Sequence, residues 1–347
     1  MRISLLLLAL GAIHFTAACA EDRRTIPAWQ TYCAVPNDTF TGGQAGTDLD
    51  VEPVFVLGER SHSMFAFAAD DGIRLRDLNS GRQWQLRYGR FETARALRCK
   101  PFAAFGVEVS HSDDAVTACR GDNCQSIEIK QGTFVFAYAA ARSAIVAITN
   151  YGDALLFRDD QWCRMTWSED RYTCIGNEPM VTEPRKMQFY SSIRYDGETL
   201  MGEWPTGRLF VFDGRTIEPW SEQPPHVSKE RTGFEAQAMA VYCGDLYVGY
   251  WPTGAIWRLH RRTGEWSRIA LFPDAATFYP HIDRPADDLS GRFFGRRVTA
   301  LLPHDGSLYA ATSNLLGWHR DLDQSVVSDI EAEFYGKTHR LTVDCTR

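Results

Sequence analysis

Along most of the chain, apolar residues fall in short runs separated by turn-forming residues. The clearest stretch covers residues 236–270. Residues 236–242 are small and apolar, Cys243-Gly244 turns, residues 245–251 form a second run, and Pro252-Thr253-Gly254 turns again. Residues 255–260, an Arg262-Thr263-Gly264 turn and residues 265–270 complete the set. Runs this short, closed by Gly, Pro and Asp turns, predict strands joined as an antiparallel meander. Heptads and long apolar runs are absent after the first 20 residues.

The unit repeats. Tyr195, Gly197, Gly202 and Trp204-Pro205-Thr206-Gly207 recur as Tyr242, Gly244, Gly249 and Trp251-Pro252-Thr253-Gly254, at a fixed offset of 47 residues. Four contiguous matches inside a wider spaced pattern mark a true internal repeat. Weaker copies lie at 134–162 and 297–319, and looser ones at 54–88 and 102–130. Chains of this kind resemble β-propellers, and the resemblance covers nearly all of residues 21–347. It implies an all-β fold of six four-stranded antiparallel blades, at roughly 53–90, 101–131, 133–168, 187–221, 235–271 and 296–345. Ring closure by pairing of the first and last strands makes 31–35 and 338–345 the candidate closing strands.

No particular propeller family is matched. The Trp-Asp signature of WD repeats is missing, the one Gly-Gly pair (Gly42-Gly43) lies outside the repeats, and there is no sialidase-type Asp box. Asp77…Ser80-Gly81…Trp84 and Thr263-Gly264-Glu265-Trp266 resemble the turn of quinoprotein propellers, but the match is too short to imply a quinone. No cofactor is expected.

Blades crowd near the axis, so inner strands should carry small residues: Ala103, Ala104, Ala137, Ala139, Ser191, Ser192, Ala238, Ala240 and Ala300 fit. Trp84, Trp162, Trp220 and Trp266 each follow the turn into a fourth strand, where a large ring fills the widening wedge between blades. Trp204 and Trp251 end second strands at a rim. They either stack on a ligand or pack across that rim.

In a propeller, the loop between strands two and three shares a face with the loops between blades, and loops on a rigid scaffold carry function. Two long inter-blade loops, 219–234 and 272–297, belong to that face, and loops of such length are commonly functional. They supply Arg231, Tyr279, His281, Arg296 and Arg297 beside Trp204 and Trp251 as candidate ligand-binding residues. Planar guanidiniums suit acidic groups, and aromatic faces suit a sugar ring. Glu235 and Asp283 are the weak candidates for an acid–base pair of the glycosidase kind. Glu203 lies in the same turn region, but Tyr250 replaces it in the next repeat.

Composition narrows the class. The 347 residues carry a net charge of −7, or −8 without residues 1–20, which argues against nucleic-acid binding. Arg2, the leucine-rich run 3–12 and Ala18-Cys19-Ala20 read as a signal peptide over residues 1–20, its apolar run too short for a span of ~20 residues. The competing reading is lipidation at Cys19, although Thr16 stands where a lipobox usually has an aliphatic residue. The eight remaining cysteines suit an exported, disulfide-stabilised chain, secreted or periplasmic. Cys119 with Cys124 and Cys163 with Cys174 form local pairs, while the pairing of Cys33, Cys99, Cys243 and Cys345 stays open. No cluster has metal-ligand spacing. Arg120-Gly121-Asp122 reads as turn chemistry before adhesion, and Asn37-Asp38-Thr39 is a sequon that matters only in a eukaryotic secretory host.

These features point to a monomer without a transmembrane span that binds a polar or carbohydrate-like ligand, or a protein partner, without evident catalysis. The alternatives are a glycan-active hydrolase or lyase at the channel mouth, and an envelope scaffold anchored through Cys19.

Overall fold

Tight turns set the local structure. Phe105-Gly106, Arg142-Ser143, Asp159-Asp160, Asp196-Gly197 and Cys243-Gly244 each place two consecutive residues at positive φ, between 45° and 85°. Two such residues make the turn whose twist matches that of the flanking strands, so each turn folds its neighbours into a hairpin.

The computed structural model describes residues 50–56, 64–69, 72–77, 82–88, 90–95, 102–112, 114–130, 133, 135–149, 152–168, 170–176, 187–225, 227, 233–251, 254–270, 296–304, 306–314, 337–342 and 345. All regular elements among them are strands. They form a six-bladed β-propeller. Blade 1 comprises Met64–Ala69, Gly72–Asp77, Gln83–Arg87 and Arg90–Ala94; blade 2 comprises Phe102–Ala104, Val107–His111, Ala115–Arg120 and Asn123–Glu128. Blade 3 runs Val135–Ala141, Ala144–Thr149, Ala154–Arg158 and Gln161–Ser168; blade 4 runs Gln188–Tyr195, Glu198–Trp204, Leu209–Phe212 and Ile217–Pro219. Blade 5 contains Glu235–Tyr242, Asp245–Trp251, Ala255–His260 and Glu265–Ala270. Blade 6 contains Arg296–His304, Ser307–Asn314 and Lys337–Thr342, completed by the N-terminal strand Asp50–Val56.

That last pairing corrects the closing strand. Asp50 pairs with Thr342 and Val56 with Lys337, so the ring is closed by residues that the sequence pattern assigned partly to the start of blade 1. Residues 31–35 lie outside the described residues. The shift propagates: blade 1 begins at Met64, and Trp84 sits in its third strand rather than after the turn into the fourth.

Blade 3 adds a fifth strand, Arg171–Gly176, whose Tyr172 pairs with Ile217 at the outer edge of blade 4. The Cys163–Cys174 disulfide ties this strand to its neighbour. Cys119–Cys124 links the last two strands of blade 2. Cys243–Cys345 joins the first hairpin of blade 5 to the chain end of blade 6, 102 residues away in sequence.

Apolar seams hold consecutive blades together. Val109 and Ala118 meet Ala147 and Leu155 between blades 2 and 3. Val146 and Leu156 meet Phe189 and Phe210 between blades 3 and 4. Leu200 meets Ala236 and Val248, Tyr247 meets Val298, and Ala311 meets Leu75 at the next three seams. Blades 1 and 2 differ. Among the described residues no apolar cluster joins them; blade 1 turns buried Arg74, Gln83 and Gln85 that way, and blade 2 turns exposed Glu108, Ser110 and Ser126.

The repeated glycines have a packing reason. A Cβ on Gly202 would lie 2.2 Å from the Ala236 carbonyl oxygen, and one on Gly249 would lie 2.5 Å from Val298 Cγ1. Each glycine lets a second strand approach the first strand of the next blade at the equivalent position.

Candidate functional site

The first strands of blades 3 to 6 share a β-bulge near their start, between Val135 and Ala137, Phe189 and Ser191, Ala236 and Ala238, and Val298 and Ala300. Just before it, Gln188 pairs with Trp204, Glu235 with Trp251, and Arg297 with Ser313. One register position at the head of three successive blades therefore carries an amide, a carboxylate and a guanidinium residue. A bulge bends its strand and re-aims side chains, which is why it recurs beside sites.

The Trp204-Pro205-Thr206-Gly207 turn is held from below by Glu203. Its Oε2 accepts bonds from the Thr206 amide (3.1 Å), the Thr206 hydroxyl (2.6 Å) and the Arg208 amide (3.3 Å). The Trp204–Pro205 peptide is cis. Phe234 donates its amide to the Pro205 carbonyl at 2.9 Å, so the turn is pinned to the entry of blade 5. Burial raises the Glu203 carboxyl from 4.5 to about 7, against the hydrogen bonds from Thr206 and Arg208 and the Arg208 charge.

Tyr250, at the Glu203 position of blade 5, is fully buried and donates its hydroxyl to the Gly207 carbonyl at 3.0 Å. Burial first, and the Glu203 charge second, push its pKa well above the usual 10. Thr149 plays a related part in blade 3, where its Oγ1 accepts the Asp153 amide at 3.1 Å. One position thus closes the rim turns with three different side chains.

The two tryptophans end their strands at equivalent places and are partly buried. They make no ring contact with each other among the described residues. The indole N–H of Trp251 is enclosed and meets no acceptor among those residues. Glu235 is 2% exposed, so it is a buried group and not an open carboxylate at the mouth. Tyr190 donates its hydroxyl to Gln188 Oε1 at 2.7 Å. Arg296 and Arg297 head the first strand of blade 6, with side chains outside the described set; Arg231, Tyr279, His281 and Asp283 lie outside it altogether.

No family model matches the chain, and no curated protein matches it in sequence. Among solved structures, a luciferin-regenerating enzyme is 13% identical over 86% of this chain and 97% of its own, at a TM-score of 0.41. BamB from Moraxella catarrhalis is 12% identical over 84% of this chain and 98% of its own, at 0.32. The extracellular domain of a hybrid two-component system from B. thetaiotaomicron is 12% identical over 78% of this chain, at 0.40, and the match spans only 32% of that longer protein. None of them bears on what this chain binds.

Two of the four wedge tryptophans are hydrogen-bonded into the fold, whereas the enclosed indole N–H of Trp266 meets no acceptor among the described residues. Trp162 donates its indole N–H to Gln125 O at 2.9 Å across the blade 2–3 seam, and Trp220 donates to Glu198 Oε2 at 2.8 Å. Sequence reasoning missed Gln188, Tyr190 and the locking roles of Glu203 and Tyr250, because a bulge leaves no mark in the hydrophobic pattern. A cleft of about 180 Å³ opens on the opposite face beside Tyr195 and Cys243, where Arg261 pairs with Asp196 at 2.6 Å. Among the described residues no helix is long and apolar enough to cross a membrane, and no metal-ligand cluster occurs.

Proposed function

We propose that this protein is an exported binding propeller whose rim at blades 4 and 5 takes a polar, carbohydrate-like ligand, without chemistry on it. The observation that carries this reading is the enclosed indole N–H of Trp251, which meets no acceptor among the described residues. An orphaned buried donor costs about 1–3 kcal/mol, which a ligand hydroxyl offsets by accepting its hydrogen. Trp204 presents a second ring at the equivalent site of the neighbouring blade, and Gln188, its partner across the ladder, supplies a polar group beside it together with Tyr190. The three disulfides among the described residues agree with an oxidising, secreted or periplasmic location.

The test is a glycan-array screen of the mature protein beside a Trp204→Ala/Trp251→Ala variant. Selective binding that the variant loses supports the rim site. Absence of binding, with a variant that is soluble but less stable, makes both rings packing residues and turns the search to protein partners.

A catalytic reading rests on Glu235, a buried carboxyl at the head of an inner strand, with Asp283 as its partner. In a hydrolase or lyase, Glu235→Gln abolishes turnover while ligand affinity is retained. In a binding protein there is no turnover to lose.

A further inference from the structure

Two bulky aromatic residues sit exposed at turn positions that normally suit Gly, Asn or Asp. Tyr88, in the turn after the third strand of blade 1, is fully exposed at φ 49°; Phe105, in the first hairpin of blade 2, is 44% exposed at φ 54°. Bulky side chains are uncommon in this backbone region, and Tyr88 and Phe105 occupy it while leaving their rings in solvent. Strands alternate in direction within each blade, so both turns lie on the face opposite the Trp204 and Trp251 rim.

The charges beside them are also unusual. Arg87 and Arg90 stand directly opposite each other across the Tyr88 turn, and both are exposed. Like charges in that register repel. Arg87 donates only to Gln85 Oε1, at 3.1 Å, and neither residue has an acidic partner among the described residues. Next to Phe105, Arg120 donates to its carbonyl at 2.9 Å and pairs with Asp160 at 3.1 Å. Asp122, in the other turn of blade 2 on this face, bounds the patch; Asp70 and Asp71 lie outside the described residues. The strand Asp50–Val56 starts at the same face, since Asp50 pairs with Thr342 near Cys345. The N-terminal segment therefore joins the propeller there.

We propose that this face docks on an anionic lipid surface, with Tyr88 and Phe105 at headgroup depth and Arg87 and Arg90 on phosphate oxygens. Tyrosine is suited to that boundary because its ring is apolar and its hydroxyl stays wet. Paired guanidiniums match phosphate geometry and lose their mutual repulsion against a negative surface. The same orientation turns the proposed ligand rim outward, away from the bilayer.

The test uses the full mature chain made without acylation, sedimented with phosphatidylcholine vesicles with and without phosphatidylglycerol, across a salt series. The proposal expects binding to the anionic vesicles alone, weakening as salt rises. Arg87→Glu/Arg90→Glu should weaken it by about tenfold or more, and Tyr88→Ser/Phe105→Ser should weaken it at every salt concentration. Lys130→Glu, an exposed charge beyond the fourth strand of blade 2 and so on the rim side, and Trp204→Ala/Trp251→Ala should bind vesicles like the parent, which separates this surface from the ligand rim. Circular dichroism confirms that each variant is folded. No binding to anionic vesicles at low salt overturns the proposal, as does equal binding by the Arg87/Arg90 variant. Capture by soluble dextran sulfate without vesicle binding also overturns it, in favour of an acidic polymer.

Discussion

The hydroxyl of Tyr250 donates to the carbonyl oxygen of Gly207 at 3.0 Å, so a second-strand residue of blade 5 closes the rim turn of blade 4. The bond crosses a largely apolar seam, which Ser191 also bridges by donating its hydroxyl to the Ala236 carbonyl at 2.9 Å. It ties the turn that presents Trp204 to the strand that presents Trp251.

Tyr250→Phe should therefore cost about 1–3 kcal/mol, because it leaves a buried carbonyl without its donor. Gly202→Ala should cost more, above about 3 kcal/mol, since its new methyl meets the Ala236 backbone and not a flexible side-chain end. Urea unfolding of the two variants checks the order, and a Gly202→Ala protein as stable as the parent would refute the close approach.

Glu203 makes stability depend on pH. Its folded pKa of about 7 lies above the ordinary 4.5, so the folded state holds the proton over a range where the unfolded chain has released it. Stability from this group is complete below about pH 4.5 and falls as pH rises to about 7, by an amount of the order of 3 kcal/mol. Unfolding free energies measured from pH 5 to 8 should show that decline in the parent and a flatter profile in Glu203→Gln.

The three disulfides among the described residues should not contribute equally. Chain-entropy reasoning gives about 4–5 kcal/mol for closing a loop of roughly 100 residues and about 2 for a loop of five. Cys243→Ser/Cys345→Ser should thus lower the thermal midpoint well beyond Cys119→Ser/Cys124→Ser. Equal shifts would mean that blade 6 is held by its seams and by the Asp50–Val56 strand, with the cross-link adding little.

The seam between blades 1 and 2 should open first. Its two sides present Arg74, Gln83 and Gln85 against Glu108, Ser110 and Ser126, whereas Leu200, Ala236 and Val248 close the seam between blades 4 and 5. Native-state hydrogen exchange should find lower opening free energies for amides in Val107–His111 than in Asp245–Trp251. Protection of equal depth in both strands would contradict a weak seam.

What the sequence determined by itself was local. Turn pairs such as Asp196-Gly197 and Cys243-Gly244 need only their own backbone preferences, and the strands between them need only alternation and length. The meander of blade 5 and the 47-residue repeat were therefore legible without coordinates. So was the presence of Trp204 and Trp251 at strand ends, because Pro-Thr-Gly stops a strand wherever it occurs.

What the tertiary structure decided was non-local. Pairing of Asp50–Val56 with Lys337–Thr342 joins the two ends of the fold, and no short-range pattern distinguishes that strand from the first strand of blade 1. Trp84 moved to a third strand for the same reason. The Cys243–Cys345 bond, the bulges that align Gln188, Glu235 and Arg297, and the burial of Glu203 beneath its own turn arise only when six twisted sheets are packed around one axis. Packing sets which strands meet and how closely; residue order along the chain sets only what each strand brings to that contact.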